Sequence, residues 1–333
     1  MAETRNKAAG KTKDSFATSS QAKQKILAFS SLVLLIVGFS IASPNFFQAS
    51  NLIAIMLATA VNGVLAVGVS FVIITGGIDL SIGTLMTFTA VMAAQMVANW
   101  HLPIFVGLVV AILTGIVCGG TSGFMVAKLK LPPFIATLGM NMFTKGLSLI
   151  IAHSKPIYFT DSPSFSQISM GSVFNFSEDF QIPNAVIIFL LVAIIAGVIL
   201  NKTTFGRYTF AIGSNEEAVR LSGINTDRWK IAAYAFSGAI CGIAGILIAS
   251  RLNSAQPALG QGYELDAIAA VVIGGTSMSG GEGTIIGTII GAFIISTLTN
   301  GLRILSVPQE WQIVTTGIII IFAVYLDILR RKK

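Results

Sequence analysis

The sequence predicts an all-α, polytopic membrane protein of about ten transmembrane helices, and three observations carry that reading. Of 333 residues, 54% are hydrophobic and only 11% charged, whereas a soluble domain carries about 25% charge. Apolar runs of about 18 residues or more recur along the whole chain, the length that crosses a bilayer. Nearly all the basic residues lie outside those runs, most of them in a few segments. This composition excludes a soluble globular enzyme, a disordered chain and a disulfide scaffold. In such a protein a net charge of +7 marks one side of a membrane before it marks a nucleic-acid surface.

Residues 1–25 form a polar tail with Arg5, Lys7, Lys11, Lys13, Lys23 and Lys25. The run that follows, 26–43, is longer than a signal-peptide core of about 7–15 residues and is read as the first span. The next spans are 52–74, 82–99, 103–127, 132–152, 183–200 and 231–250. Pro132, Pro133 and Pro183 fall at span entrances, where a missing N–H does least harm. The last three spans are 265–281, 285–302 and 311–329. Residues 26–329 then make one transmembrane domain.

An even number of spans puts both termini on one side. With the N-terminus inside, 17 of the 21 basic residues fall in the inner segments 1–25, 128–131, 201–230 and 330–333. Only Lys145, Lys155, Arg251 and Arg303 escape. That asymmetry follows the positive-inside rule. It also decides the doubtful span 265–281, whose apolar part is short. Without it the Arg330–Lys333 cluster would lie outside. The segment is therefore expected to be a short or broken helix. The outer face receives one long loop, 153–182, and the inner face another, 201–230. No soluble domain is attached, so an energy source or soluble receptor is expected on another chain.

Cys118 and Cys241 lie inside apolar runs with no metal-ligand spacing. His101 and His153 fall at run ends, as interfacial residues do. Gly10-Lys11-Thr12 resembles the end of a phosphate-binding loop, but Arg5 stands where that motif needs its first glycine. ATP binding by this chain is not expected there. No Ser/His/Asp set marks an enzyme.

Two Gly-rich stretches interrupt apolar runs. The first is Thr75-Gly76-Gly77-Ile78-Asp79-Leu80-Ser81-Ile82-Gly83. Non-helical backbone at membrane depth survives only where it is buried in protein or lines a cavity. Asp79 either acts in a pathway or gate or caps the helix that starts near Ser81. The second begins Gly262-Tyr263-Glu264-Leu265-Asp266, crosses a short apolar segment and ends in Gly274-Gly275 and the Gly-rich run to Gly283. Two acids entering and glycines leaving read as a discontinuous helix. Thr137, Asn141, Gly76, Gly77, Gly274 and Gly275 are expected to give a pathway weakly polar walls, with Asp79, Glu264 and Asp266 beside it. Gly283, Gly287 and Gly291 make a small-residue ladder, as do Gly115, Gly119 and Gly123, and Gly238 with Gly242. These faces suit close helix packing within the chain.

The inner loop carries a helix with its own ends. Ser214 and Glu217 match a capping box. Glu216 and Glu217 suit a helix N-terminus. Ala218, Val219 and Leu221 give an apolar side, Glu216, Glu217 and Arg220 polar contacts, and Gly223 a stop; Asn215 belongs to the same segment. A helix so delimited is expected to dock on a soluble partner; the alternative is a helix lying on the membrane surface.

Three stretches together resemble a known family: Gly-Gly-Ile-Asp-Leu-Ser at 76–81, Asn-Glu-Glu-Ala through Arg-Leu-Ser-Gly-Ile at 215–224, and Ser-Ala-Gln-Pro through Gly-Tyr-Glu-Leu-Asp-Ala-Ile-Ala at 254–269. They are similar to the ribose/xylose/arabinose/galactose branch of bacterial ABC importer permeases, most of all to its ribose members. The likeness runs from Pro44 to Asp327. It implies a bacterial cytoplasmic-membrane permease with both termini cytoplasmic, which translocates a monosaccharide and performs no bond chemistry. It implies a cytoplasmic ATPase that holds ATP and Mg, with no cofactor on this chain. It also implies an extracytoplasmic sugar-binding protein and a second permease subunit, in a homodimer or heterodimer. The 214–223 helix then corresponds to the coupling helix. Lys155, Arg251 and Arg303 become candidates for docking the binding protein, since Arg forks pair with carboxylates. A different expectation is a secondary sugar transporter driven by protons or sodium. Its coupling residues would have to come from Asp79, Lys145, Glu264 and Asp266.

Overall fold

Hydropathy dictates the elements, and the computed structural model describes them over residues 25–175 and 181–331. Most of the basic tail, with Gly10-Lys11-Thr12, lies outside the described residues, as do Glu178, Asp179, Lys332 and Lys333. Eight helices among the described residues are long and apolar enough to cross a membrane. They are α1 (Lys25–Ala42), α2 (Ala49–Ile74), α3 (Ile82–Ala94, closed by the π-helical turn Gln95–Asn99), α4 (Ile104–Ala127), α5 (Pro133–Ile151), α7 (Asn184–Lys202), α9 (Thr226–Leu252) and α11 (Ile285–Ile304). Prolines open three of them: Pro103, Pro132 and Pro183 are the residues before α4, α5 and α7. The helix α12 (Gln309–Arg331) has 23 residues, about 34 Å at 1.5 Å per residue. The doubtful span is a broken helix: α10 (Tyr263–Ile273) has 11 residues, about 16 Å, roughly half a 30 Å hydrocarbon core.

The described part of the long loop after α5 is built from short elements. It contains β1 (Ile157–Tyr158), a 3-10 turn (Pro163–Phe165), the short helix α6 (Gln167–Met170), β2 (Ser172–Asn175) and β3 (Gln181–Pro183). β2 pairs antiparallel with β3, and β1 with β4 (Ser254–Ala255), just beyond α9. Phe159 and Phe165 are fully buried and stack with ring centroids 3.8 Å apart. Ser250, in the last turn of α9, donates from Oγ to Phe165 O at 2.7 Å and accepts from Ser169 N at 2.9 Å. These bonds satisfy loop backbone that would otherwise be buried unpaired.

Burial sorts the helices. The C-terminal part of α2, from Val64 to Ile74, is buried throughout, as is nearly all of α3. α9 packs between α4 on one side and α2 and α3 on the other, and α10 and α11 close on α2. Large apolar side chains on α1, α4, α5, α7 and α12 point outward, Leu34, Phe105, Ile150, Ile194 and Ile321 among them. Such a surface suits lipid and not water.

The glycine ladders serve packing inside the chain. A Cβ on Gly115 would collide with the Gly238 carbonyl, and one on Gly119 with the Tyr234 carbonyl. Gly242 faces Ala111 and Ile112. Along α11, Gly287 packs on Gly274 and Gly291 on Ala270, while Gly283, just before the helix, packs on the Thr276 side chain. Backbones therefore touch where these helices cross.

The loop at 201–230 differs from its reading in two ways. First, it is mostly helix: α8 (Thr204–Leu221) follows α7 almost at once, and α9 begins at Thr226. Second, the expected Ser214–Glu217 capping box is not what starts the terminal helix. Ser214 ends the first part of α8 and donates from Oγ to the Phe210 carbonyl at 3.0 Å. The chain breaks at Asn215, with φ −162° and ψ 94°. Asn215 Oδ1 accepts from Ala218 N at 3.0 Å. Asn caps as well as Ser, and once Ser214 back-bonds within the preceding helix, the next residue takes the cap.

Candidate functional site

Two interrupted helices and one short capped helix make up the candidate site. All three stop signals use the same device. Gly76, Gly223 and Gly275 have φ of 80°, 81° and 93°, a region costly for any residue with a Cβ. Each glycine donates to the carbonyl three residues back, at 2.9–3.0 Å: Gly76 to Ile73, Gly223 to Arg220 and Gly275 to Val272. The residue after each reaches five back: Gly77 to Val72, Ile224 to Val219 and Thr276 to Val271. This is the Schellman pattern, which satisfies two orphan carbonyls per helix.

After Gly77 the backbone runs without regular structure to Ser81, and its polar groups need partners. α5 and α9 supply them. Tyr234 Oη donates to Ile78 O at 3.3 Å, Thr137 Oγ1 to the same oxygen at 3.4 Å, and Asn141 Nδ2 to Leu80 O at 2.7 Å. One turn further, Thr144 Oγ1 meets Thr84 Oγ1 at 2.9 Å. Thr137, Asn141, Thr144 and Ser148 are all buried on one face of α5. Thr137 and Asn141, read as pathway walls, are thus turned in this conformation onto the interrupted backbone.

Asp79 is fully buried. Its Oδ1 accepts from Ser81 N at 3.0 Å and from Ser81 Oγ at 2.6 Å, a turn that leads into α3. Its Oδ2 is buried with no hydrogen-bond partner among the described residues. A carboxylate half-satisfied in a dry interior is costly to hold.

The second interruption mirrors the first. Glu264 is buried beside Gly83 at the start of α3, and its Oε2 accepts from Gly262 N at 3.1 Å. Asp266 is half-buried in the first turn of α10. Gly274 ends α10 against Gly287. The bond from Lys145 Nζ to Gln261 Oε1, 2.8 Å, joins α5 to the approach to α10.

The terminal part of α8 is exposed. Glu217, Ala218, Arg220 and Leu221 face outward, and Leu221 is 83% accessible. Val219 is its buried anchor. Glu216 forms an ion pair with Lys230 of α9. At the same end Asp227 holds Lys128 and Lys130 at 3.2 and 2.9 Å, tying α9 to the turn between α4 and α5. Beside this helix a cavity of about 510 Å³ is lined by Tyr208, Gly223, Ile224, Asn225, Arg228, Trp229 and Ala232. Arg251 and Arg303 lie in the last turns of α9 and α11, and Lys155 just after α5. None of the three forms an ion pair among the described residues.

Sequence reasoning missed Tyr234, Thr84 and Thr144. The polar residues of α5 were detectable, since Thr137, Asn141, Thr144 and Ser148 recur at helical spacing in an otherwise apolar span. Tyr234 carried no such signal.

A multi-pass bundle whose helices are interrupted at paired glycines, with the freed backbone satisfied inside the protein, has the architecture of a membrane transport subunit. The chain belongs to the family described as branched-chain amino acid transport system / permease component, which matches residues 51–324. It is 42% identical to the ribose import permease protein of Haemophilus influenzae over 303 residues, 90% of this chain and 92% of that one. It is 41% identical to the ribose import permease protein of Bacillus subtilis over 311 residues, 93% and 94% of the two chains. It is 34% identical to the fructose import permease protein of Rhizobium meliloti over 302 residues, 89% and 83%. No solved structure matches the chain. The chain is therefore a multi-pass ABC importer permease subunit, as its motifs led one to expect.

Proposed function

We propose that this chain imports ribose or a closely related monosaccharide across the bacterial cytoplasmic membrane, with both termini cytoplasmic and with ATP hydrolysed on a separate partner. The observation that carries the reading is the likeness to ribose import permeases over nine-tenths of the chain. The ATPase holds ATP and Mg; this chain holds no cofactor. A sugar-binding protein delivers the substrate, and a second permease subunit, a copy of this chain, completes the membrane domain. Binding of ATP on the partner shifts the population between outward- and inward-open states.

Roles follow from position. The helix 216–221, capped by Asn215 and stopped by Gly223, presents Glu217, Arg220 and Leu221 to the ATPase, with Ser214, Glu216 and Ala218 at its base. Gly76, Gly77, Asp79, Thr137, Asn141, Glu264, Asp266, Gly274 and Gly275 surround the interruptions that open and close the path. Lys155, Arg251 and Arg303 face the acidic lobes of the binding protein. The test is uptake of labelled ribose into proteoliposomes, with xylose and fructose as competitors. Uptake is expected only when ATPase, ATP and sugar-loaded binding protein are all present. Uptake by this chain alone on a proton or sodium gradient would overturn the reading.

A further inference from the structure

The three interruptions of helix meet at one place. Gly213, two residues before the break in α8, lies so close to the end of α2 that a Cβ on it would collide with the Ile74 carbonyl oxygen and the Gly281 amide nitrogen. That amide donates to Ile74 O at 2.9 Å. A helix leaves its last carbonyls without partners of its own. Here one of them, at the end of α2, is satisfied by a peptide from the segment between α10 and α11. A Cβ on Gly280 would come within 2.8 Å of Gly76 N and 3.0 Å of Gly213 Cα, and one on Gly281 within 2.6 Å of Ser214 Oγ. Three backbones therefore touch with almost no side chain between them.

Contact of this kind transmits displacement differently from side-chain packing. A side chain can absorb a small shift by changing rotamer; peptide planes in direct contact cannot. Packed elements of this sort respond by stepping between arrangements rather than by deforming gradually. Both interrupted helices share the same neighbour, so any shift of α8 at Gly213 reaches Ile74 and Gly281 together.

We infer that the Gly213–Ile74–Gly281 contact is where movement of the 216–221 helix enters both interrupted helices at once, and that Gly213 is a positioning residue for transport. The inference rests on the ATPase-coupled reading above and adds to it the point of transmission.

The test uses the full chain assembled with its ATPase and binding protein in proteoliposomes, with ribose as the probe. Gly213→Ala forces this main-chain contact apart; the assembled variant is expected to keep hydrolysing ATP and to lower ribose moved per ATP hydrolysed about tenfold or more. Gly120→Ala, whose Cβ would meet only Ala235 Cβ at 3.8 Å, is the control and should leave that ratio unchanged. A second measurement does not depend on the variant. Hydrogen exchange on the wild-type complex, nucleotide-free and ATP-trapped, should change in peptides covering both 74–81 and 277–283. Wild-type stoichiometry in Gly213→Ala overturns the inference. So does a wild-type complex in which 214–222 responds to ATP while both other segments do not. If Gly213→Ala fails to assemble, the exchange result decides. A wild-type complex with no ATP-driven uptake instead refutes the function on which the inference rests.

Discussion

Replacing Asn215 by alanine and, separately, Ser214 by alanine separates the two possible starts of the 216–221 helix, to which we assign coupling. In the structure the Ala218 amide is satisfied by Asn215 Oδ1, whereas Ser214 Oγ only back-bonds to Phe210 O on an exposed surface. Loss of an N-cap of this type costs about 0.5–2 kcal/mol, with 1 kcal/mol typical. The helix it starts is six residues long (216–221), far below the length at which a helix stands alone in water. Its population therefore depends on cap, stop and anchor together. A loss of about 1 kcal/mol lowers the ratio of formed to unformed helix about fivefold. Removal of the Ser214 hydroxyl should cost a few tenths of that. The assay is sugar-stimulated ATPase activity and ribose uptake in the reconstituted complex. Asn215→Ala should lower both several-fold, and Ser214→Ala should leave them near wild type. If Ser214→Ala is the more damaging of the two, the assignment of the cap to Asn215 is wrong. Glu217→Ala with Leu221→Ala should go further and abolish both activities in a folded permease, because it strips the exposed docking face.

Three further outcomes are expected. Asp79→Asn keeps an oxygen to accept from Ser81 and removes a buried charge, so the thermal midpoint should hold or rise; if the carboxylate acts in gating, uptake falls, and unchanged uptake would leave it only the turn. Asn141→Leu leaves the Leu80 carbonyl buried without its donor, at a cost of about 1–3 kcal/mol, which should appear as a lowered melting temperature in detergent, with Asn141→Gln losing less. Arg251→Glu with Arg303→Glu should weaken stimulation of the ATPase by loaded binding protein, more so at low salt; unchanged stimulation at low salt removes both residues from the docking surface.

How much of this was legible in the sequence depended on range. Eight of the ten expected spans were, because a run of apolar residues is a local signal, and the half-length of α10 followed from the short apolar run that ends at Gly274-Gly275. The stops at Gly76, Gly223 and Gly275 were visible for the same reason. The cap was misplaced by one residue because Ser214 and Asn215 are both good caps and only the path of the preceding helix chooses between them. The clamp on Ile78 and Leu80 was out of reach: Tyr234 lies 156 positions from Ile78, and nothing near it in sequence marks its hydroxyl. The loop at 153–182 carried no motif because the order of its described part comes from β4 and from Ser250, which lie at the far end of α9.

The seam between α4 and α9 divides the chain's positions into two kinds for sequence drift. Where Gly115 and Gly119 press on Gly238 and on the Tyr234 carbonyl, even one added methyl group has nowhere to go, and no compensating change in a neighbouring side chain can make room, because the obstacle is main chain. On the outward faces of α1, α5 and α7, by contrast, one large apolar residue can replace another, since the lipid that covers it rearranges at little cost. Divergence among proteins of this architecture should therefore accumulate on the lipid-facing rim and stall along the seam, so that a library of random substitutions screened for surviving transport would recover the α4–α9 crossing as a line of unmutated glycines.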